Sequence, residues 1–261
     1  MMLGLISIQG KPLSRAKLNQ VDGKLKAVFF DYWETIVEET EQGLARMERI
    51  GQELCDFEAF RRIDRKQLEE ALERRWRSVS VLLANQPFEV PLPSFFQGLL
   101  EDLALTSFGE EILDRMVSFV AQKIHERSIL IPGALDFLKF LKEKGLKIGL
   151  ISNTQFPQKY VEESMKKLGL LPYFDVLVLS SEVSWRKPYP EIFREGLRKL
   201  NVRPENAIHF GDSLYYDIEG AKKAGILPVQ VLASRFRPSE QGEIAIYDWH
   251  AARALFSRLL G

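Results

Sequence analysis

The run Ala27-Val28-Phe29-Phe30, followed at once by Asp31, constrains this chain more than any other stretch. Consecutive apolar residues of strand length predict a β-strand buried on both faces, as in a parallel sheet. In open α/β sheets the reactive groups collect at the carboxyl ends of such strands. Asp31 therefore stands where a catalytic carboxylate is expected, with Thr35 four residues later. A strand-ending Asp is also a common turn former, so its role depends on what the rest of the chain brings to it.

Two different patterns follow. Across residues 38–127 the apolar residues recur at spacings of three and four, the mark of amphipathic helices. Leu44, Met47, Ile50, Leu54 and Phe57 form one stripe, and Leu68, Leu72, Trp76, Val79 and Leu83 another. Asp64 with Gln67 makes a capping-box start for the second. Pro87, Pro91 and Pro93 break the pattern, Ser94 is a candidate cap, and stripes at Phe95–Leu103 and Ile112–Ile124 predict two more helices. No strand interrupts them, so this stretch reads as one helical module.

From Ile131 onward apolar strand runs alternate with helical stripes: strands at Lys147–Ile151, Asp175–Leu179, Ala207–Phe210 and Leu227–Leu232, helices between them. Such alternation predicts right-handed βαβ units. The expected fold is α/β: a Rossmann-like, doubly wound, mostly parallel sheet built from residues 25–37 and 128–261. The helical module, residues 38–127, is inserted into it as a cap or lid. Residues 1–24 show no clear period and read as an extension outside the core, without assigned function.

Composition narrows the functional classes. Lys plus Arg and Asp plus Glu both number 36, which gives no reason to propose nucleic acid or an anionic membrane as partner. The single cysteine, Cys55, excludes an internal disulfide and fits a reducing compartment. No run reaches the roughly 18 apolar residues of a membrane span. Met1–Ile8 is apolar but short and lacks a cleavage pattern. The expectation is a cytoplasmic globular protein acting on a small molecule, with its oligomeric state open.

Each later strand end carries polar residues: Ser152-Asn153-Thr154, then Arg186-Lys187-Pro188, then Gly211-Asp212-Ser213 with Asp217 beyond. Taken singly these are turn formers or solvated charges; at successive strand ends of one sheet they should meet in one crevice. There Asp31 could attack phosphorus as a nucleophile. Asp31, Asp212 and Asp217 offer hard oxygen ligands suited to Mg²⁺. Lys187 adds a fixed positive charge, and Ser152 or Thr154 can hydrogen-bond a phosphate.

These motifs resemble those of the haloacid dehalogenase superfamily: Asp31–Thr35, Ser152-Asn153, Lys187-Pro188, and Gly211-Asp212-Ser213 through Asp217. The helical module is similar to the helical cap of the branch that holds the haloacid dehalogenases and phosphoglycolate phosphatases. The resemblance implies Asp31 as nucleophile and metal ligand, the Trp33 backbone carbonyl and Asp212 as further ligands, and Mg²⁺ as cofactor. It also implies Lys187 as charge stabiliser, Ser152 and Asn153 as phosphate binders, and Asp217 in support. The substrate it implies is a phosphorylated small molecule.

One departure is informative. The family's phosphatases read Asp-x-Asp-Gly-Thr in the first motif, where the second Asp is general acid and base; this chain reads Asp31-Tyr32-Trp33-Glu34-Thr35. Indole cannot transfer a proton near neutral pH, and Glu34 replaces the usual glycine. Glu34, Glu38 and Glu39 are nearby carboxylates, and the sequence selects none of them as a substitute. The family's dehalogenases also lack that second Asp, so a 2-haloacid dehalogenase is the alternative activity. A weakly active or inert binding protein is the alternative class. His209 reads as a core histidine, His125 as a helix-end residue, and no two histidines have metal-ligand spacing.

Overall fold

The computed structural model describes residues 6–8, 11–12, 25–40, 43–105, 107–235 and 244–260. Most of segment 1–24, and the side chains of Leu44 and Met47, lie outside the described residues.

The described strands form one large sheet and one ribbon. Ten strands run in chain order: β1 Ile6–Ile8, β2 Lys11–Pro12, β3 Ala27–Phe30, β4 Val37–Glu39, β5 Ser128–Leu130, β6 Lys147–Ser152, β7 Val176–Leu179, β8 Ala207–Gly211, β9 Leu227–Val231 and β10 Ala245–Ile246. The sheet order is β2-β1-β10-β9-β8-β3-β6-β7. All pairs from β10 to β7 are parallel. Only β1 and β2 are antiparallel additions at the edge. Residues 1–24, read from sequence as an extension outside the core, thus supply two edge strands.

The centre of the sheet follows from its apolar runs. β3 is fully buried, and Phe30 stands level with Leu150 of β6 on one side and Phe210 of β8 on the other. From β3 the chain proceeds outward through β6 and β7, then returns to β8 on the other side of β3. The strand order reverses at β3, which opens a crevice at the carboxyl ends of β3, β6 and β8. Asp31 emerges into it, its N–H donating to the Phe210 carbonyl at 2.8 Å.

Helices cover both faces. Helices α5 (Ala134–Glu143) and α9 (Trp249–Leu259) pack together over one. There Phe30, Phe137, Phe210 and Trp249 meet, with Phe30 stacked on Phe210 at 5.3 Å and Phe137 on Trp249 at 5.2 Å. The other face is covered by α7 (Pro190–Leu200) and the short α8 (Gly220–Lys223), with Phe29, Ile192 and Phe193 in that layer. The remaining core helix, α6 (Gln158–Lys167), follows β6. Between β8 and β9, where the alternating pattern predicts a helix, the chain opens with a π-type turn, Leu214–Glu219, before α8.

Four helices form the module between β4 and β5: α1 Gly43–Leu54, α2 Arg65–Asn85, α3 Leu92–Asp102 and α4 Glu110–Arg127. They bury their own apolar cluster, with Leu54, Leu68, Phe96, Leu99 and Met116 at its centre. The Asp64 carboxylate caps α2 by accepting from the Lys66 and Gln67 N–H groups. α3 begins one turn earlier than a Ser94 cap would require, at Pro91 with proline at its start and no side-chain cap. The two connections to the core pair with each other: Val37 faces Leu130 and Glu39 faces Ser128 in an antiparallel ribbon.

Candidate active site

Register brings the strand-end motifs together as the apolar runs imply. Lys187, buried at 2% exposure, extends Nζ to 2.7 Å from Asp31 Oδ1 and 2.6 Å from Asp217 Oδ1. Ligand oxygens of Asp31, Asp212 and Asp217 all lie within 4.8 Å of one another. Side chains far apart in sequence thus form one acidic cluster around one ammonium group.

Asp217 is aimed by local geometry. Ser213 accepts the Tyr216 N–H and donates its own N–H to Asp217 Oδ2 at 3.2 Å, so the π-type turn folds back on the strand end. Gly211 makes the approach possible, because a Cβ there would collide with the Asp217 carboxyl group. Asp217 Oδ1 also lies 2.8 Å from His209 Nε2. Lys187, His209 and the Ser213 N–H therefore occupy Asp217, which suits a supporting role better than direct coordination.

The electrostatics follow from crowding. Burial and the neighbouring Asp217 and Asp31 carboxylates push Asp212 up to about 8. Burial raises Asp31 too, with Lys187 opposing it. For Asp217 burial is outweighed by Lys187 and His209, which hold the carboxyl below the usual range. Burial alone would lower Lys187, but the Asp217 and Asp31 carboxylates dominate and raise it. Among the described residues, Asp31 Oδ1 has no aligned hydrogen-bond donor and Thr35 Oγ1 has no hydrogen-bond partner. Asp31 and Asp212, two hard oxygen donors with Asp217 and Lys187 behind them, are a set that a divalent ion such as Mg²⁺ fits, because its charge would offset the remaining repulsion.

The Asn153 side chain faces the lysine loop. Expected to bind phosphate, it accepts the Lys187 N–H on Oδ1 at 2.8 Å and donates from Nδ2 to the Lys187 carbonyl at 3.0 Å. Its amide is committed to the lysine backbone, so it orients Lys187. Ser152 is buried and lines a small cavity with Tyr32, Trp33, Thr154 and Phe156, closed from the helical module by Ile124 and His125.

Trp33 is half-buried in that cavity wall, edge-on to Tyr32 at 4.9 Å. It touches the apolar clusters of both the sheet and the helical module. Glu34 adopts φ 57°, the left-handed region where glycine is at ease. Its carboxylate accepts a hydrogen bond from the Ser234 hydroxyl. Glu38 is engaged by Ser234 at 2.9 Å and by the Arg235 Nε at 2.7 Å. Both acids are thus tied to the loop after β9.

His209 is the core histidine that its place inside a strand run predicts, fully buried; its contact with Asp217 is what the run alone does not show. Its position two residues before Gly211, on the alternate face from Phe210, was the available signal.

Comparison with known proteins agrees with this geometry. A family model described as haloacid dehalogenase-like hydrolase matches residues 25–225. A phosphorylated carbohydrates phosphatase of Thermotoga maritima is 34% identical over 65% of this chain and 74% of its own. A glyceraldehyde 3-phosphate phosphatase of Methanopyrus kandleri is 30% identical over 53% of this chain, a match spanning 60% of that relative's length. The crystal structure of a 2-haloacid dehalogenase from Pseudomonas syringae superposes with a TM-score of 0.68 at 20% identity, over 90% of this chain and 99% of that one. At that identity the likeness shows the fold alone. With the strand-end motifs gathered in one crevice and the family model spanning them, the chain belongs to the haloacid dehalogenase-like hydrolases.

Proposed function

We propose that this enzyme is a Mg²⁺-dependent phosphatase acting through an aspartyl-phosphate on Asp31. The observation that carries the reading is the Asp31, Asp212, Asp217 and Lys187 cluster. The retained acidic trio argues against dehalogenation, for which a divalent ion has little use. The curated relatives named above are phosphatases, which supports the same choice.

In this reading Asp31, Asp212 and the Trp33 backbone carbonyl would hold the ion, which neutralises phosphoryl charge when bound. Asp31 attacks phosphorus in line and the bond to the leaving oxygen breaks. Lys187 stabilises charge on the phosphoryl oxygens while its own backbone is fixed by Asn153, and Ser152 hydrogen-bonds the phosphate. Water then attacks phosphorus, the P–O bond to Asp31 breaks, and Asp31 returns as a carboxylate while both protons of the water leave with the phosphate. The helical module, residues 38–127, acts as the cap that closes over this centre, on a core of residues 25–37 and 128–261. A phosphorylated small molecule in the cytoplasm is the substrate.

Trp33 sets the substrate's chemistry. With no acid at that position and Glu34 and Glu38 engaged elsewhere, the leaving group must depart unprotonated or bring its own proton. Acyl and aryl phosphates meet that condition. Phosphate release from acetyl phosphate and p-nitrophenyl phosphate with Mg²⁺, lost with chelator and in Asp31→Asn, is the expected result. Equal turnover in Asp31→Asn would overturn the reading.

A further inference from the structure

Lys187 is held from two directions, and one of them is the helical module. On the core side Asn153 brackets its backbone N–H and carbonyl. On the other side the last turn of α2 and the loop that follows it grip the preceding residue. The Arg186 N–H donates to the Pro87 carbonyl at 2.7 Å, and Arg186 Nη1 donates to the Leu83 carbonyl at 2.7 Å. Glu89 accepts the Ser180 hydroxyl at 2.8 Å, and Ser180 Oγ in turn accepts the Thr154 N–H at 2.8 Å. The Glu89 carboxylate also stands 3.7 Å from Arg186 Nε, with side-chain exposures of 3% and 9%.

These contacts touch the chain beside both strand-end motifs nearest the phosphoryl position. Arg186 adjoins Lys187, while Ser180 ties Glu89 to Thr154, two residues past Ser152. A buried acid on a loop of the helical module has no packing reason to be there, and an apolar residue would seal the contact at lower desolvation cost. Paired with a guanidinium and a hydroxyl, it makes docking of the module specific. Without that docking Arg186 would lose its acceptors and the Lys187 peptide would be held only from the Asn153 side.

We propose that Glu89 and Arg186 are positioning residues for Lys187, so that docking of the helical module and placement of the lysine are one event. The catalytic meaning of that event rests on the phosphatase reading; the coupling itself does not.

The test uses the full chain and two readouts. In Glu89→Gln, amide hydrogen exchange is expected to rise about tenfold or more both in peptides covering 86–92 and in those covering 185–189, with β3 unchanged. Turnover of acetyl phosphate with Mg²⁺ should fall about 10–100-fold in kcat, the range seen when groups that orient a reactive side chain are removed. Glu89→Gln combined with Arg186→Gln should be no worse than the poorer single variant. Exchange confined to 86–92, wild-type kcat in Glu89→Gln, or additive losses in the double variant would each overturn the proposal. A wild-type protein that releases no phosphate would refute the phosphatase reading, and the exchange experiment alone would then decide the coupling. If Arg186→Gln does not fold, Glu89→Gln still decides, since Gln keeps an acceptor for Ser180 while removing the charge.

Discussion

His209 Nε2 lies 2.8 Å from Asp217 Oδ1, and both side chains are at most 1% exposed. Asp217 is therefore satisfied by Lys187, His209 and the Ser213 N–H before any ligand arrives. Of the three clustered carboxylates, Asp31 and Asp212 are the ones left to answer to a cation or a phosphoryl group.

Metal binding and pH should be linked through Asp212. Its folded value, about 8, lies above the roughly 3.9 of an unfolded aspartate. Between those values the folded metal-free protein holds the proton that the unfolded chain has lost, so stability falls as pH rises from about 5 to about 8. Thermal denaturation should show that decline, Mg²⁺ should reverse it at pH 8, and Asp212→Asn should flatten it.

Asn153→Ala removes both hydrogen bonds to the Lys187 backbone. A buried unsatisfied backbone group costs about 1–3 kcal/mol, so a lower Tm is expected. Because the lysine loses its orientation, kcat should fall about 10–100-fold. Steady-state kinetics on acetyl phosphate beside a denaturation curve separates the two effects.

Trp33→Asp should restore proton transfer to the leaving group. Positioned acid–base catalysis contributes about 10²–10⁴-fold, and the gain should appear for alkyl phosphates while acetyl phosphate changes little. The ratio of kcat/KM for the two substrate classes is the measurement. Loss of indole packing against both clusters should lower Tm in the same variant.

Glu34 offers a clean backbone test. Glu34→Ala and Glu34→Gly both remove the carboxylate from Ser234, but only glycine is relaxed at φ 57°. The alanine variant should be the less stable by about 1 kcal/mol, the usual scale of left-handed strain. Urea denaturation of the pair gives that difference directly.

The α/β architecture was legible because β3 and β6 are apolar runs of strand length with polar residues at their ends. Strand order then follows from connection rules, and convergence of Asp31, Lys187, Asp212 and Asp217 follows from strand order. What was illegible depended on side-chain direction. Asn153 sits beside Ser152 in sequence, and nothing in that adjacency shows that its amide turns toward Lys187. His209 differs from an ordinary core residue only by a neighbour eight positions later. The strands in segment 1–24 escaped notice because β1 and β2 are too short, three and two residues, to show a period.

The pairing of β4 with β5 has a consequence for how such a protein can be rebuilt. Val37 and Leu130 are direct partners across the ribbon, so the polypeptide leaves the sheet and re-enters it at nearly the same point. A tight hairpin could bridge that gap without disturbing a single rung of the central ladder. Whatever is spliced between those two positions starts and ends on the same antiparallel rungs, which makes the ribbon a natural socket for exchanging one inserted module for another.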